Sequence, residues 1–279
     1  MLLLFDLFFL LRALITDNFV PIVPIVAGIF TAAGLLFLVY AEHQSREQDK
    51  RDHRRISRVA HQLESPLRAL EENISQMSAA GDKLPSELRI KLKHMETKTK
   101  VLLENVRDVF LTLQAQDHPV SQEVRTYDLC VLVEEAYKRL LPLAQAKNVE
   151  LISKAHCQNA SVRVDRRLFL LTLSHLIDNA ITYTMTPGVV NIAVIKSGRN
   201  VKILVQDRGV GIKEKDVASI FTPFFRGENA ADYEPDGIGV GLALSRMLVR
   251  EWKGKISWRN RPRGMGSEFE IILPLVVKK

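Results

Sequence analysis

The segment Val201-Lys-Ile-Leu-Val-Gln-Asp-Arg-Gly-Val-Gly-Ile212 ends an alternating apolar strand in a carboxylate, Asp207, followed by glycines at 209 and 211. It puts a hydrogen-bond acceptor at a strand end, beside backbone that a ligand can approach closely. Upstream, Asn179 lies in His175-Leu-Ile-Asp-Asn-Ala180, on a helix whose Leu173, Leu176, Ile177 and Ala180 are apolar. Its amide is therefore either a satisfied core group or a ligand. Downstream come Ile220-Phe-Thr-Pro-Phe-Phe-Arg226, a polar segment to Asp236, and Gly237-Ile-Gly-Val-Gly-Leu242, which opens a helix. Free N–H groups and the positive dipole end of such a helix suit phosphate. A Rossmann loop is excluded by context, because this glycine run does not follow a strand inside a βαβ unit.

Around these segments the hydrophobic pattern predicts strands near 122–127, 149–154, 160–164, 189–196, 200–206, 254–259 and 267–273. Helices are expected near 129–147, 166–184 and 239–252, giving an α+β two-layer sandwich. Asp128 and Asp165 are placed to cap two of the helices, and Ser197-Gly-Arg-Asn200 has hairpin composition.

In order and spacing, the four polar segments resemble the N, G1, F and G2 boxes of the Bergerat-type ATPase domain of histidine kinases, gyrase, Hsp90 chaperones and MutL. Gly264-Met-Gly-Ser-Glu-Phe-Glu-Ile-Ile-Leu-Pro274 is similar to the closing strand of the kinase branch. The resemblance implies ATP and Mg²⁺ as the bound species. It assigns Asn179 to Mg²⁺, Asp207 to the adenine amine, and Gly209 and Gly211 to close approach of the base. Phe221 falls within the F box. Gly237, Gly239 and Gly241, with Leu242, would border the phosphates, and residues 226–236 would form a lid over the nucleotide. Two positions depart: His175 stands where the family usually has a first Asn, and Thr182 where a Lys or Arg often meets the phosphates.

Residues 56–113 carry heptads. Ala60, Leu67 and Ile74 repeat every seven residues, interleaved with Ile56, Leu63, Leu70 and Met77. A turn at 79–85 precedes a second seam of Leu88, Leu92, Met95, Thr99, Leu102, Val106, Val109 and Leu113. One helical hairpin cannot cover two such seams, so a homodimeric four-helix bundle is expected. His61 lies on the flank of the first seam, and Pro66 bends the helix one turn beyond it. The run His61-Gln-Leu-Glu-Ser-Pro resembles the H-box of sensor histidine kinases, departing at Gln62, where an acid is usual. The resemblance implies His61 as phosphoryl acceptor. Glu64 is the nearby carboxylate that would compensate for Gln62, and Ser65 would orient a hydrolytic water in the reverse reaction.

Phe19 to Ala41 is 23 residues without a charge, roughly 34 Å of helix at about 1.5 Å per residue. That length crosses a bilayer, and the Arg- and Lys-rich flank from Arg46 to Arg58 places the chain beyond Ala41 in the cytoplasm. Residues 2–15 are apolar but short, and Asp6 and Arg12 interrupt them; they are read as a short first span or an uncleaved signal-like start, or else as an interfacial or buried helix. Too little chain lies outside the membrane on this reading to fold an extracellular sensor. With 39 Lys and Arg against 32 Asp and Glu, the chain is basic, but it carries no helix-turn-helix, finger or aromatic RNA-binding signature. Cys130 and Cys157 form no metal-ligand pattern and are expected as reduced thiols.

The resulting expectation has three parts: a transmembrane region over 1–41, a dimerisation and histidine phosphotransfer stem over 42–118, and a catalytic ATP-binding domain over 119–279. Together they imply a dimeric sensor histidine kinase of the inner membrane. Its partners would be a separate response regulator and a sensory protein within the bilayer, and no nucleic acid. The rival is a degenerate membrane scaffold that binds nucleotide without phosphorylating; Gln62, His175 and Thr182 favour it.

Overall fold

The computed structural model describes residues 68–69, 71–75, 86–117, 119–155, 160–228, 230–234, 237–261 and 266–276. The chain divides into two compact units, Met1–Arg107 and Asp108–Lys279. In the first, residues 71–75 are helical with Ile74 fully buried, and helix α1 (Ser86–Asp117) begins. Along α1, burial follows the expected seam through Leu92, Thr99, Val106, Val109 and Leu113. Leu103 is buried as well, beside half-buried Leu102, so the apolar stripe is wider than a strict two-position seam. The buried Thr99 hydroxyl makes no hydrogen bond to another described residue.

The second unit takes the last turns of α1 and builds an α+β sandwich. Strand β1 (Val124–Asp128) pairs antiparallel with β3 (Ser161–Asp165). The main sheet runs β2 (Val149–Lys154), β4 (Gly188–Ser197), β5 (Asn200–Gln206), β7 (Ser267–Pro274), β6 (Lys255–Asn260), with β2 parallel to β4 and the other pairs antiparallel. Helices α2 (Leu129–Ala146), α3 (Arg166–Tyr183) and α5 (Gly241–Glu251) supply the second layer, and a single turn, α4 (Ala230–Tyr233), precedes α5.

Period-two alternation fixes which face of the sheet meets the helices. On β5, Val201, Ile203 and Val205 are buried, while Lys202, Leu204 and Gln206 are half-buried on the other face. That outer face is laced by charge: Lys202 donates to Glu270 (2.8 Å) and Arg259 Nε to Glu268 (2.7 Å). The inner face joins Leu173, Leu176, Ile177 and Ile181 of α3, and Leu244 and Leu248 of α5, in one core, with Phe169 and Trp252 in edge contact at 5.6 Å.

Asp165 orders the start of α3. Its Oδ1 accepts from the N–H groups of Arg167 and Leu168, and its Oδ2 from those of Gln122 and Glu123 ahead of β1. One carboxylate thus caps a helix and ties down the chain leaving α1. Glu251, ending α5, accepts from the N–H groups of Val120 and Ser121 on the same connection.

Contrary to the expectation of reduced thiols, Cys130 is disulfide-bonded, and the only other cysteine in the sequence is Cys157. Separation along the chain misled here. The β1–β3 pairing sets Asp128 opposite Ser161, and Leu129 N–H bonds to Ala160 carbonyl at 2.8 Å, so the start of α2 lies beside the chain entering β3. No described helix is long and apolar enough to cross a membrane; the expected spans, 2–15 and 19–41, lie outside the described residues.

Candidate nucleotide site

Asp207, immediately after β5, is only 2% exposed. Its Oδ1 accepts from Gly209 N–H (2.8 Å) and Ser267 N–H (3.0 Å), and its Oδ2 from the Ser267 hydroxyl (2.7 Å). Its backbone is held too: Asp207 N–H donates to Ser267 carbonyl, and Arg261 donates to Asp207 carbonyl at 2.9 Å. A carboxylate offers about four acceptor positions, and three are taken. One position on Oδ2 is left for a donor from outside this network.

Sequence reasoning gave Gly209 to the approach of a base; the structure supplies a second reason for it. A Cβ there would stand 2.0 Å from the Tyr183 carbonyl oxygen, where the end of α3 bridges to this loop through Thr184 and Gly209. Gly211, at φ 67°, precedes Ile212, whose N–H and carbonyl both bond the Asn260 side chain. Gly239, at φ 72°, packs against the Phe225 carbonyl, with 2.4 Å to a Cβ if one were present. Gly237 lies against the Glu234 side chain. Phe221 is buried, with its carbonyl accepting from Arg246 (2.9 Å) and the guanidinium 5.2 Å from its ring centre. Leu242, half-buried in the first turn of α5, packs against the core.

On α3, His175, Asp178, Asn179 and Thr182 share one face by their three- and four-residue spacing. The Asn179 amide makes no hydrogen bond to another described residue, so it is a free hard-oxygen donor beside the carboxylate of Asp178. That chemistry fits Mg²⁺, which takes one or two protein oxygens and completes its shell with water and substrate phosphate. Burial raises the Asp178 pKa above the usual carboxylate range, opposed by the charges of Lys147 and His175. His175 is turned to a different task from ligation. Its Nε2 pairs with Asp108 at 2.7 Å, its Nδ1 lies 3.5 Å from Ser245 Oγ, and a Cβ on Gly241 would come within 3.2 Å of its ring.

The expected lid is described over 226–228 and 230–234. The Tyr233 ring stands 5.8 Å from that of Tyr183 at the end of α3. Burial and the nearby Glu234 raise the Tyr183 phenol above its ordinary value. Arg226 donates to the Glu234 carbonyl. Glu228 pairs with Lys213, at 2.9 Å, and with Lys215, and these two ammonium groups pull its pKa down to about 2.

Residues 164–277 match the family of histidine kinase-, DNA gyrase B- and HSP90-like ATPases. Across a longer stretch, the chain is 31% identical over 251 residues to the adaptive-response sensory kinase SasA of a Synechococcus strain, covering 86% of this chain and 64% of that protein. It is 27% identical over 238 residues to the sensor-like histidine kinase SenX3 of Mycobacterium tuberculosis, covering 85% of this chain and 57% of the relative. The chain is similar to sensor histidine kinases, and residues 164–277 carry a domain of this ATPase family. It spans between about half and two-thirds of the length of these curated relatives. In fold, the chain is similar to full-length ShkA, crystallised with AMPPNP, at TM-score 0.65 and 21% identity over 81% of this chain and 46% of that one. It is also similar to Acinetobacter baumannii AdeS, at TM-score 0.55 and 23% identity over 75% of this chain and 95% of that one.

Of the residues expected to bind nucleotide, Asp207 and Gly209 are brought into direct contact with each other. Asn179 lies on the neighbouring helix face, and Gly237, Gly239, Gly241 and Leu242 line the approach to α5. His61, Gln62, Glu64 and Ser65 lie outside the described residues. Sequence reasoning overlooked Ser267, Arg261, Asn260, Tyr183 and Lys147. Ser267 carried a signal, since it falls in the closing segment from Gly264 to Pro274; the others become visible only through the contacts they make.

Proposed function

We propose that the protein is an ATP-dependent histidine kinase of a two-component system, transferring the γ-phosphoryl group of ATP to His61 and then to an aspartate of a separate response regulator. The observation that carries the ATP assignment is the free acceptor position on buried Asp207. An adenine amine donates there, whereas the oxo group of guanine would set oxygen against oxygen. Asn179 would hold Mg²⁺, which offsets charge on the phosphates when bound.

Phosphoryl transfer asks the protein mainly for positioning and electrostatics. A ring nitrogen of neutral His61 attacks the γ-phosphorus as the bond to the β-bridging oxygen breaks, and the imidazole then sheds its remaining proton. Gln62 cannot take that proton, and Glu64 is the nearby group that can. Ser65 would orient water in the reverse, hydrolytic direction. The heptads over 56–113 support a homodimeric stem over 42–118 bearing His61, with residues 119–279 as the catalytic part. The uncharged run 19–41 and its basic flank support an inner-membrane anchor, with a sensory partner inside the bilayer.

Incubating the purified full chain with γ-labelled ATP tests the reading. Acid-labile, base-stable label that disappears in His61→Ala is the expected outcome. Bound ATP with no label in the wild type would mark a nucleotide-binding scaffold instead.

A further inference from the structure

The face of α3 that carries Asn179 is short of positive charge. Between His175 and Tyr183 the helix has one acid, Asp178, and no Lys or Arg, and the first turn of α5 has none either. Arg246, further along α5, is committed to the Phe221 carbonyl and ring. A polyphosphate laid along this face would meet the carboxylate of Asp178 with no Lys or Arg beside it on α3, and His175 is already paired with Asp108.

The compensating charge comes from the neighbouring helix. Lys147, the C-cap residue directly after α2, donates from Nζ to the Thr182 hydroxyl at 2.7 Å, and Thr182 in turn lies 3.5 Å from Asp178 Oδ1. Thr182 is buried, whereas Lys147 is exposed, so the hydroxyl fixes the tip of an otherwise open side chain. An ammonium has three donors; Thr182 uses one. The electrostatic influence of Lys147 on Asp178 agrees with this placement.

We propose that Lys147 is a phosphate-contacting residue of the nucleotide site, held in place by Thr182 and supplying from α2 the cation that the Asn179-bearing face of α3 lacks. The inference rests on the reading of the site as an ATP site and names a group that reading does not include. A lysine that served only to balance Asp178 would support the fold and affect every ligand alike. A lysine that touches phosphate affects only ligands that have one.

Calorimetric titration of the full chain with Mg·ATP and with adenosine separates these roles. Lys147→Met is expected to weaken ATP binding about ten-fold or more, as for loss of a charge-assisted hydrogen bond, while adenosine stays within about two-fold. Lys147→Arg should retain most of the ATP affinity, and Thr182→Lys should restore it in the Lys147→Met background. Unchanged ATP binding in Lys147→Met, or a parallel fall for ATP and adenosine, overturns the proposal. Failure of the wild type to bind either ligand would instead overturn the ATP reading, and this inference with it. Lys147→Arg and the double variant keep the test decisive if Lys147→Met folds poorly, since equal ATP-to-adenosine ratios in both and in the Thr182→Lys single variant would also reject the contact.

Discussion

Asp207 satisfies three protein donors and holds one acceptor position in reserve, so its chemistry is sharply conditional on charge. Asp207→Asn turns one oxygen into a donor facing either the Ser267 groups or, on the proposed reading, the adenine amine. A loss of about 1–3 kcal/mol in ATP affinity is expected from the unpaired contact, measured by calorimetry. Gln62 poses the opposite case, a position short of a carboxylate. Gln62→Glu should raise the single-turnover rate at saturating ATP by about ten-fold or more if proton removal limits transfer, since general bases contribute roughly 10²–10⁴-fold. Asp178 offers a titration. Burial raises its folded pKa, so the folded state holds its proton more tightly than the unfolded chain does. Stability is therefore intact below the unfolded carboxylate range and falls as pH rises from that range through the folded value. Thermal melts between pH 4 and neutrality should show this decline flattened in Asp178→Asn and steepened in Lys147→Met. At this scale the sequence displayed the chemistry of Asn179 and Asp207 through local pattern. It could not display Lys147, which lies 35 residues from Thr182 and meets it only because α2 and α3 pack side by side.

Among the elements, α3 depends most on a single side chain, because Asp165 satisfies two N–H groups of its first turn and two more ahead of β1. Asp165→Ala should cost about 2 kcal/mol, at the upper end for a helix cap, read as a lowered denaturation midpoint with unchanged slope. Asp165→Asn should recover part of the loss. This cap was visible beforehand, as were most element positions, because alternation on β5 and the apolar spacing of α3 are local signals. The strand pairing was not. Nothing between residues 200 and 274 announces that β7 inserts between β5 and β6, or that Asp128 faces Ser161 across β1 and β3. The latter pairing also undid the expectation of free thiols, since it brings the neighbourhood of Cys130 against residues that are distant in sequence.

For the molecule as a whole, the proposed membrane anchor directly ahead of the stem would send a signal along the helices that join them, as a tilt or rotation of packed elements. Replacing residues 1–41 with an unrelated dimerising helix should preserve basal autophosphorylation and abolish the response to stimulus; survival of the response would place the sensor in the cytoplasmic part. The sheet order has a consequence for how such a protein is made. Strand β7, which emerges after the other four strands of this sheet, belongs in its interior and carries Ser267 to Asp207. A nascent chain that has been translated as far as β6 has its helices and four of the five strands of this sheet but lacks the Ser267 contacts to Asp207. On the proposed reading of Asp207, ATP binding by the growing polypeptide would wait until synthesis has passed Pro274. A ribosome that stalls earlier leaves a product with an open sheet edge along β5 and no means of being rescued by its own ligand.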